Sequence, residues 1–446
     1  MDEVTIIGGG LAGTEAAFAI RKQGVGVRLI DMKPKKMAPA FTLPGLAELV
    51  CSNSLKSLAE GTAQGLLKEE MGLLGSLLLE EAYLARVPAG SALALNRTLF
   101  SENITERIKK IGVKVECEEV LKLPSNRPLI IATGPLTSED FSEELRELLG
   151  ENNLSFYDAI SPILHTESID MGIAFRGSRY GKGGDDYINC PMNEEEYKRF
   201  VTELVGAKKT PIREFEEIPF FQGCMPIEEM ASKGEMTLAF GPLKPVGFTD
   251  PRTGVRPFAV VQLRSEDLEG RAFNLVGFQT RLTLSEQRRV LSLIPGLGSA
   301  EFARFGTIHR NSFINSPELL KPTLELKSGF GIFFAGQITG VEGYNESAVT
   351  GILAGINAVR YLKGEALIYP PPETMTGALI EHITTQPKTG TTFQPMNANF
   401  AILKGERKKI SRKNGGKRAS KIALATQARG VMEDWVNKNL ATLRAI

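Results

Sequence analysis

Cysteine and histidine are scarce in this sequence: 446 residues hold four of the first (Cys51, Cys117, Cys190, Cys224) and three of the second (His165, His309, His382). The cysteines stand far apart with no CxxC pair. That spacing excludes a disulfide framework or a zinc finger and fits a reducing, cytoplasmic setting. The scattered histidines give no reason to expect a metal. No apolar run approaches the roughly 18 residues that a membrane span needs, so no membrane is expected as a partner. The acidic start, Met1-Asp2-Glu3, runs straight into a strand-like segment, which argues against a secretory leader. An excess of either charge is also missing, with 53 basic against 52 acidic residues, so any surface for nucleic acid must be a local patch. Internal repeats and low-complexity blocks are absent. What is present is ordinary for a globular protein: 42% hydrophobic and 24% charged residues, in a chain too long for one core.

Val4 to Ile7 is a short β-branched run and reads as a buried parallel strand. Gly8-Gly9-Gly10-Leu11-Ala12-Gly13 follows, then an alanine-rich helix to about Gln23, closed by Gly24. Val27 to Ile30 makes a second strand ending at Asp31. Residues 62–86 carry helical spacing, and 113–122 and 129–132 read as strands. Between 160 and 325, Arg-Gly, Gly-Gly and Pro-Gly punctuation separates short strand-like runs such as 236–240 and 258–263, the pattern of a mixed α+β insertion. From Gly331 the first pattern returns, with a buried strand, a glycine-rich turn and a helix from about Glu346 to Leu362. The Pro- and Thr-rich segment from 369 onward reads as an extended arm, followed by a basic run, Lys404 to Lys421, and an amphipathic helix.

The first turn is GxGxxG: Gly8, Gly10 and Gly13. Glycine lets the backbone turn tightly there and approach a pyrophosphate, which then meets the free N–H groups and the positive end of the following helix. Asp31 lies where a carboxylate holds the ribose hydroxyls. With a strand before and a helix after, this setting predicts a dinucleotide site. Two further segments point to FAD rather than NAD. Leu129 to Gly134 is a buried strand ending in Ala132-Thr133-Gly134, and Phe333-Phe334-Ala335-Gly336-Gln337 opens toward a helix that would face the flavin ring. The predicted cofactor contacts are Gly8, Gly9, Gly10, Leu11, Ala12, Gly13, Asp31, Ala132, Thr133, Gly134, Gly336, Gln337 and Gly340.

Longer strings then make the chain recognisable. They include Ala47-Glu48-Leu49-Val50-Cys51-Ser52-Asn53-Ser54-Leu55-Lys56-Ser57, Gly65 to Met71, Ser178 to Gly183, Asp186 to Met192, Gly223 to Glu228, Ala335 to Tyr344 and Pro395 to Phe400. Together these resemble the folate- and FAD-dependent tRNA (uracil-5-)-methyltransferases, relatives of the GidA-type flavoproteins, from residue 4 to about 400. Gly9 stands where that family often has alanine, Asp31 where glutamate is usual, and the tail after Phe400 is more basic. The expected architecture is an α/β two-dinucleotide FAD-binding Rossmann domain (1–160 and 326–365), an inserted α+β domain for substrate or RNA (161–325), and a basic C-terminal arm and helix (366–446).

The resemblance implies methylation of uridine C5 in the tRNA T-loop, with methylenetetrahydrofolate as one-carbon donor and NADH or NADPH as electron source through FAD. Uracil C5 becomes nucleophilic only after something adds at C6, and a thiolate adds and leaves readily near neutral pH. By resemblance, Cys224 is the C6 nucleophile and Cys51 the base that removes the C5 proton. Taken alone, each lone cysteine would be a buried core residue, and Cys117 keeps that reading; Cys190 receives no role. Ser52-Asn53-Ser54 offers helix-capping residues after Cys51, while no cation that would activate a thiol can be named. Lys182 could face phosphate or the folate tail. The run Lys404–Lys421 carries nine Lys/Arg and one acid, Glu406. Arg407, Lys408, Lys409, Arg412 and Lys413 within it are expected to track RNA phosphates. Open alternatives are the same chemistry on rRNA, a GidA-like enzyme of the wobble uridine, and a flavin-stabilised RNA-binding protein without turnover. No protein partner is inferable.

Overall fold

The computed structural model describes residues 3–38, 40–150, 153–159, 161–181, 184–210, 225–387, 389, 393–405 and 416–440, with the backbone alone at 153–159 and 308–312. Its first sheet is five-stranded and wholly parallel, in the order Ile332–Phe334, Leu129–Ile131, Glu3–Ile7, Gly26–Asp31, Lys114–Cys117. Val4, Ile6, Leu29, Ile130 and Phe333 are buried in it, as the continuous apolar runs require of a sheet covered on both faces. The C-terminal ends of its strands point the same way, and loops leaving them meet along one edge. That edge is where doubly wound folds bind ligands.

Two helices are brought together there by small residues. The helix Leu11–Arg21 follows the first strand, and the 19-residue helix Tyr344–Leu362 follows the last. A Cβ added at Gly351 would fall on the Ala12 backbone, and one at Gly355 would approach the Ala16 carbonyl oxygen to 2.7 Å. The absence of side chains at these points lets the helices pack backbone to backbone and sets both N-termini at the same edge.

The second unit has its own core, built from Leu164, Ile188, Cys190, Phe200, Val261, Leu263 and Phe273 among others. Its six-stranded antiparallel sheet runs Phe175–Arg176, Tyr187–Met192, Ala259–Ser265, Ala272–Leu275, Ile163–His165, Phe302–Arg304. The chain enters along Asn153–Ala159 and leaves along Ile308–Ile314, and these two strands pair antiparallel as a ribbon between the units.

Three local expectations are corrected. The run 236–240, read as a strand, is a short helix, Thr237–Phe240; five residues rich in apolar side chains fit either period. Ser52-Asn53-Ser54 caps no helix, because the strand Ser54–Ser57 follows at once and the next helix is capped by Thr62. The segment after 369 is no extended arm throughout: Met375–Thr384 is a helix whose Met375, Leu379 and Ile380 join the main core, as do Leu424 and Ala428 of the last helix. Among the described residues, no helix is long and apolar enough to cross a membrane and no cluster of three or more His, Cys, Asp or Glu could hold a metal.

Buried carboxylates close two helix starts. Glu15 accepts from the N–H groups of Leu77 and Leu78, and Glu70 from those of Met375 (2.7 Å) and Thr376 (2.8 Å). Burial pushes both carboxyls up from 4.5 to about 7. The folded state therefore holds protons that the unfolded chain, with carboxyls near 4.3, has released. The stability linked to these protons is complete below the unfolded value and lost as pH rises through the folded one. The unfolding midpoint should fall between about pH 5 and about pH 7.5, and Glu70→Gln should remove part of that slope. A slope unchanged in the variant would place the titration elsewhere.

Candidate functional site

The turn after the first strand is built around a close approach. Gly8 has φ +103°, and a Cβ there would strike the Ala132 carbonyl and lie 2.8 Å from the Thr133 Cα. Its N–H is used on the Ile30 carbonyl oxygen at 2.8 Å, which locks the turn onto the second strand. A Cβ at Gly13 would fall on the Gly8 carbonyl oxygen, so glycine is what allows the helix to leave so close to the turn. Gly10 differs. Nothing lies within 4 Å of where its Cβ would be, and its φ of −76° and ψ of −166° suit any residue. The glycine there leaves space open over a helix N-terminus that no side chain caps.

That space belongs to a cleft of about 1130 Å³, open mouth included. Gly8, Gly10, Leu11, Ala12, Asp31, Ala132, Thr133, Gly134, Gly336 and Gln337 all line it, so ten of the thirteen predicted cofactor contacts converge, with Cys51 in the same wall. Gly9, Gly13 and Gly340 do not line it. Gly9 sits behind the turn, donating its N–H to Asp31 Oδ2 at 2.6 Å. Gly13 serves helix packing, and Gly340, at φ +84°, leaves room for the Phe393 ring.

Asp31 accepts from Gly9 N–H through one oxygen and from Lys33 N–H (2.8 Å) through the other, which orients the carboxylate and leaves a lone pair on each for a ligand hydroxyl. Beside it lie three lining residues that the sequence reading did not assign: Lys33, Phe41 and Glu48. Lys33 Nζ stands 4.6 Å from the Phe41 ring centroid, 2.6 Å from the Gly45 carbonyl oxygen and 3.5 Å from Glu48 Oε2. A phosphate cradle on one helix start, a carboxylate at the end of the second strand and a second helix start opposite fit the pyrophosphate, ribose and ring system of FAD. Gly10 decides the fit, since protein conformation alone does not require glycine there.

The loop bearing Cys51 is fastened at every residue around it. Ala47 N–H bonds the Gly9 carbonyl oxygen at 2.9 Å, tying the loop to the phosphate turn. Arg97 Nη1 donates to the carbonyls of Leu49 (3.1 Å) and Val50 (3.2 Å), while Nε and Nη2 grip Glu266 at 2.7 and 2.9 Å. The hydroxyl of Tyr344, first residue of the long helix, accepts from Cys51 N–H at 2.8 Å and Ser52 N–H at 3.0 Å. Asn53 is fully buried and bonds across the unit boundary, donating to Ser265 O (2.8 Å) and accepting from Arg264 Nε (2.9 Å).

Two arginines, Arg97 and Arg304, interact electrostatically with Cys51. Burial opposes the charge of Arg97, but Glu266 and then Tyr344 and Cys51 outweigh it and hold its pKa above the ordinary value. Arg304, which donates to Ala40 O at 3.0 Å, is lowered by burial and by Arg97, with Cys51 among the groups acting against that; as arginine it stays charged. Cys190 is the opposite case. It is 0% exposed in a central strand, and burial pushes its thiol up to about 12. Alkylation by iodoacetamide at neutral pH should therefore spare Cys190 and modify Cys51 in the folded protein, which peptide mass spectrometry would read directly. Equal modification of the two would refute that contrast. Cys117 ends an outer strand of the first sheet, half-buried and not among the residues that line the cleft. Cys224, Lys182, Arg407, Lys408, Lys409, Arg412 and Lys413 lie outside the described residues.

Comparison with known proteins finds relatives over nearly the whole chain. The family profile described as "Glucose inhibited division protein A" matches residues 3–366. A Geobacter sulfurreducens protein named "Methylenetetrahydrofolate--tRNA-(uracil-5-)-methyltransferase TrmFO" is 56% identical over 424 residues, covering 95% of this chain and 97% of its own. An Aquifex aeolicus protein of the same name is 53% identical over 439 residues, 98% of this chain and 97% of that one. Among solved structures, Aquifex aeolicus GidA superposes with a TM-score of 0.69 at 18% identity, over 99% of this chain and 76% of that one, a likeness of fold.

Proposed function

The chain belongs to the folate- and FAD-dependent tRNA (uracil-5-)-methyltransferase family, and from that membership we propose that it methylates C5 of a uridine in the T-loop of tRNA, with methylenetetrahydrofolate as one-carbon donor and NADH or NADPH as electron source. The observation that supports this most is the seating of Cys51. A thiol-bearing loop, pinned to the phosphate turn on one side and to the flavin-facing helix on the other, lines the cleft.

Gly8, Gly10, Leu11 and Ala12 would hold the pyrophosphate, Asp31 the ribose, and Gly336 with the start of the long helix the flavin ring. When bound, FAD supplies the two electrons that turn the transferred one-carbon unit into a methyl group. The chain's own part is acid–base and nucleophilic. The Cys224 thiolate forms a bond to uracil C6, and the electron pair displaced from the C5=C6 bond makes C5 a nucleophile. C5 then bonds the one-carbon unit, whose C–N bonds to the folate break with their electron pairs left on nitrogen. Cys51 takes the C5 proton, and elimination breaks the C6–S bond and frees Cys224. Arg97 holds the Cys51 loop in register throughout this sequence.

The experiment is nucleoside analysis of unmodified tRNA and rRNA after incubation with holoenzyme, methylenetetrahydrofolate and reduced nicotinamide. 5-Methyluridine in tRNA alone is the expected result. Methylation of rRNA alone would transfer the target, and no methylation of either would overturn the reading.

RNA is proposed to dock through the basic run Lys404–Lys421. Neutralising Arg407, Lys408, Lys409, Arg412 and Lys413 together should flatten the slope of log affinity against log salt by roughly 0.7–0.9 for each phosphate that the protein no longer neutralises. FAD content should be untouched. A slope that does not change would move the RNA surface to the insertion around Arg176–Lys182.

A further inference from the structure

Cys51 belongs to the first unit, yet part of what holds its loop comes from the second. The strand Ala259–Ser265 ends against that loop, where Ser265 O accepts from the Asn53 amide, and Glu266 is the next residue. Its backbone N–H bonds the Ala272 carbonyl oxygen at 2.9 Å, which fixes it in the hairpin with Ala272–Leu275. Its side chain is largely buried against that of Arg97. Glu266 Oε2 accepts from Arg97 Nε at 2.7 Å, and Oε1 accepts from Arg97 Nη2 at 2.9 Å and from the Asn274 amide. Each of these two partners also donates to the Cys51 loop. Arg97 Nη1 reaches the carbonyls of Leu49 and Val50, just before the cysteine. Asn274 Nδ2 reaches Asn53 Oδ1 at 3.2 Å, just after it. One carboxylate therefore anchors two struts that grip the chain on both sides of Cys51.

We propose that Glu266 is a positioning residue for Cys51: from the inserted unit it orients Arg97 and Asn274, and these hold the cysteine's loop at the cleft of the first unit. The proposal rests on the reading of Cys51 as a reacting thiol of the methyl transfer, whichever step it performs. Two parallel hydrogen bonds to one carboxylate fix a guanidinium in its plane, which a single acceptor does not do. With that plane fixed, the third nitrogen of Arg97 is aimed at the Leu49 and Val50 carbonyls. Removal of the carboxylate would leave Arg97 with a buried, unbalanced charge and free both struts to turn. The loop would keep its bonds to Gly9 and Tyr344, so the chain stays folded while the thiol loses its fixed place. The seam between the units thereby becomes part of the site, because the seating of the insertion decides where Cys51 stands.

Glu266→Gln keeps the shape of the side chain and replaces the charge and one acceptor oxygen by an NH2 group. The first readout is hydrogen exchange by mass spectrometry on the full-length, FAD-loaded protein, comparing peptides that cover residues 47–53 with those that cover the helix Leu11–Arg21. Exchange in the loop should quicken by about tenfold or more, and the helix should not change. Methylation kcat should fall between about tenfold and about a hundredfold, with the KM for RNA and the flavin absorbance unchanged. Glu266→Asp keeps the charge but is one carbon too short to reach both struts. It should show a weaker form of the same effects, and it carries the test alone if Glu266→Gln does not fold. Arg97→Lys cannot make the paired contact, so combining it with Glu266→Gln should cost less than the product of the two single losses. Loop exchange that stays put, a helix that quickens as much as the loop, a kcat that holds while the loop loosens, or losses that simply multiply would each overturn the proposal. The exchange measurement needs no RNA and no folate. A wild-type enzyme that methylates nothing therefore defeats the proposed function, while exchange still decides whether Glu266 holds the loop.

Discussion

Gly10→Val should give a folded protein that purifies without flavin. The position adopts φ −76° and ψ −166°, which valine takes without strain, and no protein atom lies within 4 Å of the added Cβ. The apoprotein should therefore unfold at the same temperature as wild-type apoprotein. The branched side chain would stand over the uncapped N-terminus of Leu11–Arg21, where the phosphates need the N–H groups. Hydrogen bonds to a charged group contribute about 1.5–3 kcal/mol each, so losing two should weaken FAD binding by at least about a hundredfold. Gly13→Val serves as the contrast. Its side chain would collide with the Gly8 carbonyl, a backbone atom that cannot yield, so stability should fall together with flavin. Flavin absorbance per chain and calorimetry on both apoproteins separate the cases. Stoichiometric yellow Gly10→Val protein would show that the cradle is not the phosphate site.

The contrast between these glycines also marks what could be read from sequence. Gly8, Gly10 and Gly13 declare themselves because the turn, the helix start and the ligand contact all fall within six residues of chain. Ala132-Thr133-Gly134 and Gly336-Gln337 were legible for a related reason, as each ends a buried apolar strand whose neighbours in the sheet are fixed by the fold rule for parallel strands. Cys51 was legible only through resemblance to a family. The groups that hold it were not, because their partners are remote in sequence: Tyr344 lies 293 residues from Cys51, and Glu266 lies 169 from Arg97. A polar residue in a motif string gives no sign of which backbone it will meet. Asn53 shows the cost of reading locally. Its side chain suits a helix cap, yet the structure uses it to join the two units through Ser265 and Arg264. Gly340 was assigned to the cofactor for lying in a glycine-rich string, whereas its left-handed backbone serves the packing of Phe393.

A tRNA containing 5-fluorouridine at the target position should form a covalent complex with this protein that survives a denaturing gel. Addition of the Cys224 thiolate at C6 and bonding of C5 to the one-carbon unit leave fluorine where the removable proton would be. Cys51 can take a proton from C5 but not a fluorine, so elimination is blocked and the sulfur–carbon bond persists. Cys224→Ala should abolish the band and reduce methylation of ordinary tRNA to background. Cys51→Ala should behave in the opposite way, since the step it performs follows addition. The adduct should accumulate even on ordinary tRNA, because C5 keeps its proton and the C6–S bond cannot be released. The two variants together thus test order as well as identity. FAD content should be unchanged in Cys224→Ala, and Cys51→Ala should keep its loop, because Tyr344 and Arg97 hold that loop through backbone atoms that alanine retains. A band that survives Cys224→Ala and disappears in Cys51→Ala would exchange the two roles. The residue clamped between Arg97 and Tyr344 would then be the nucleophile.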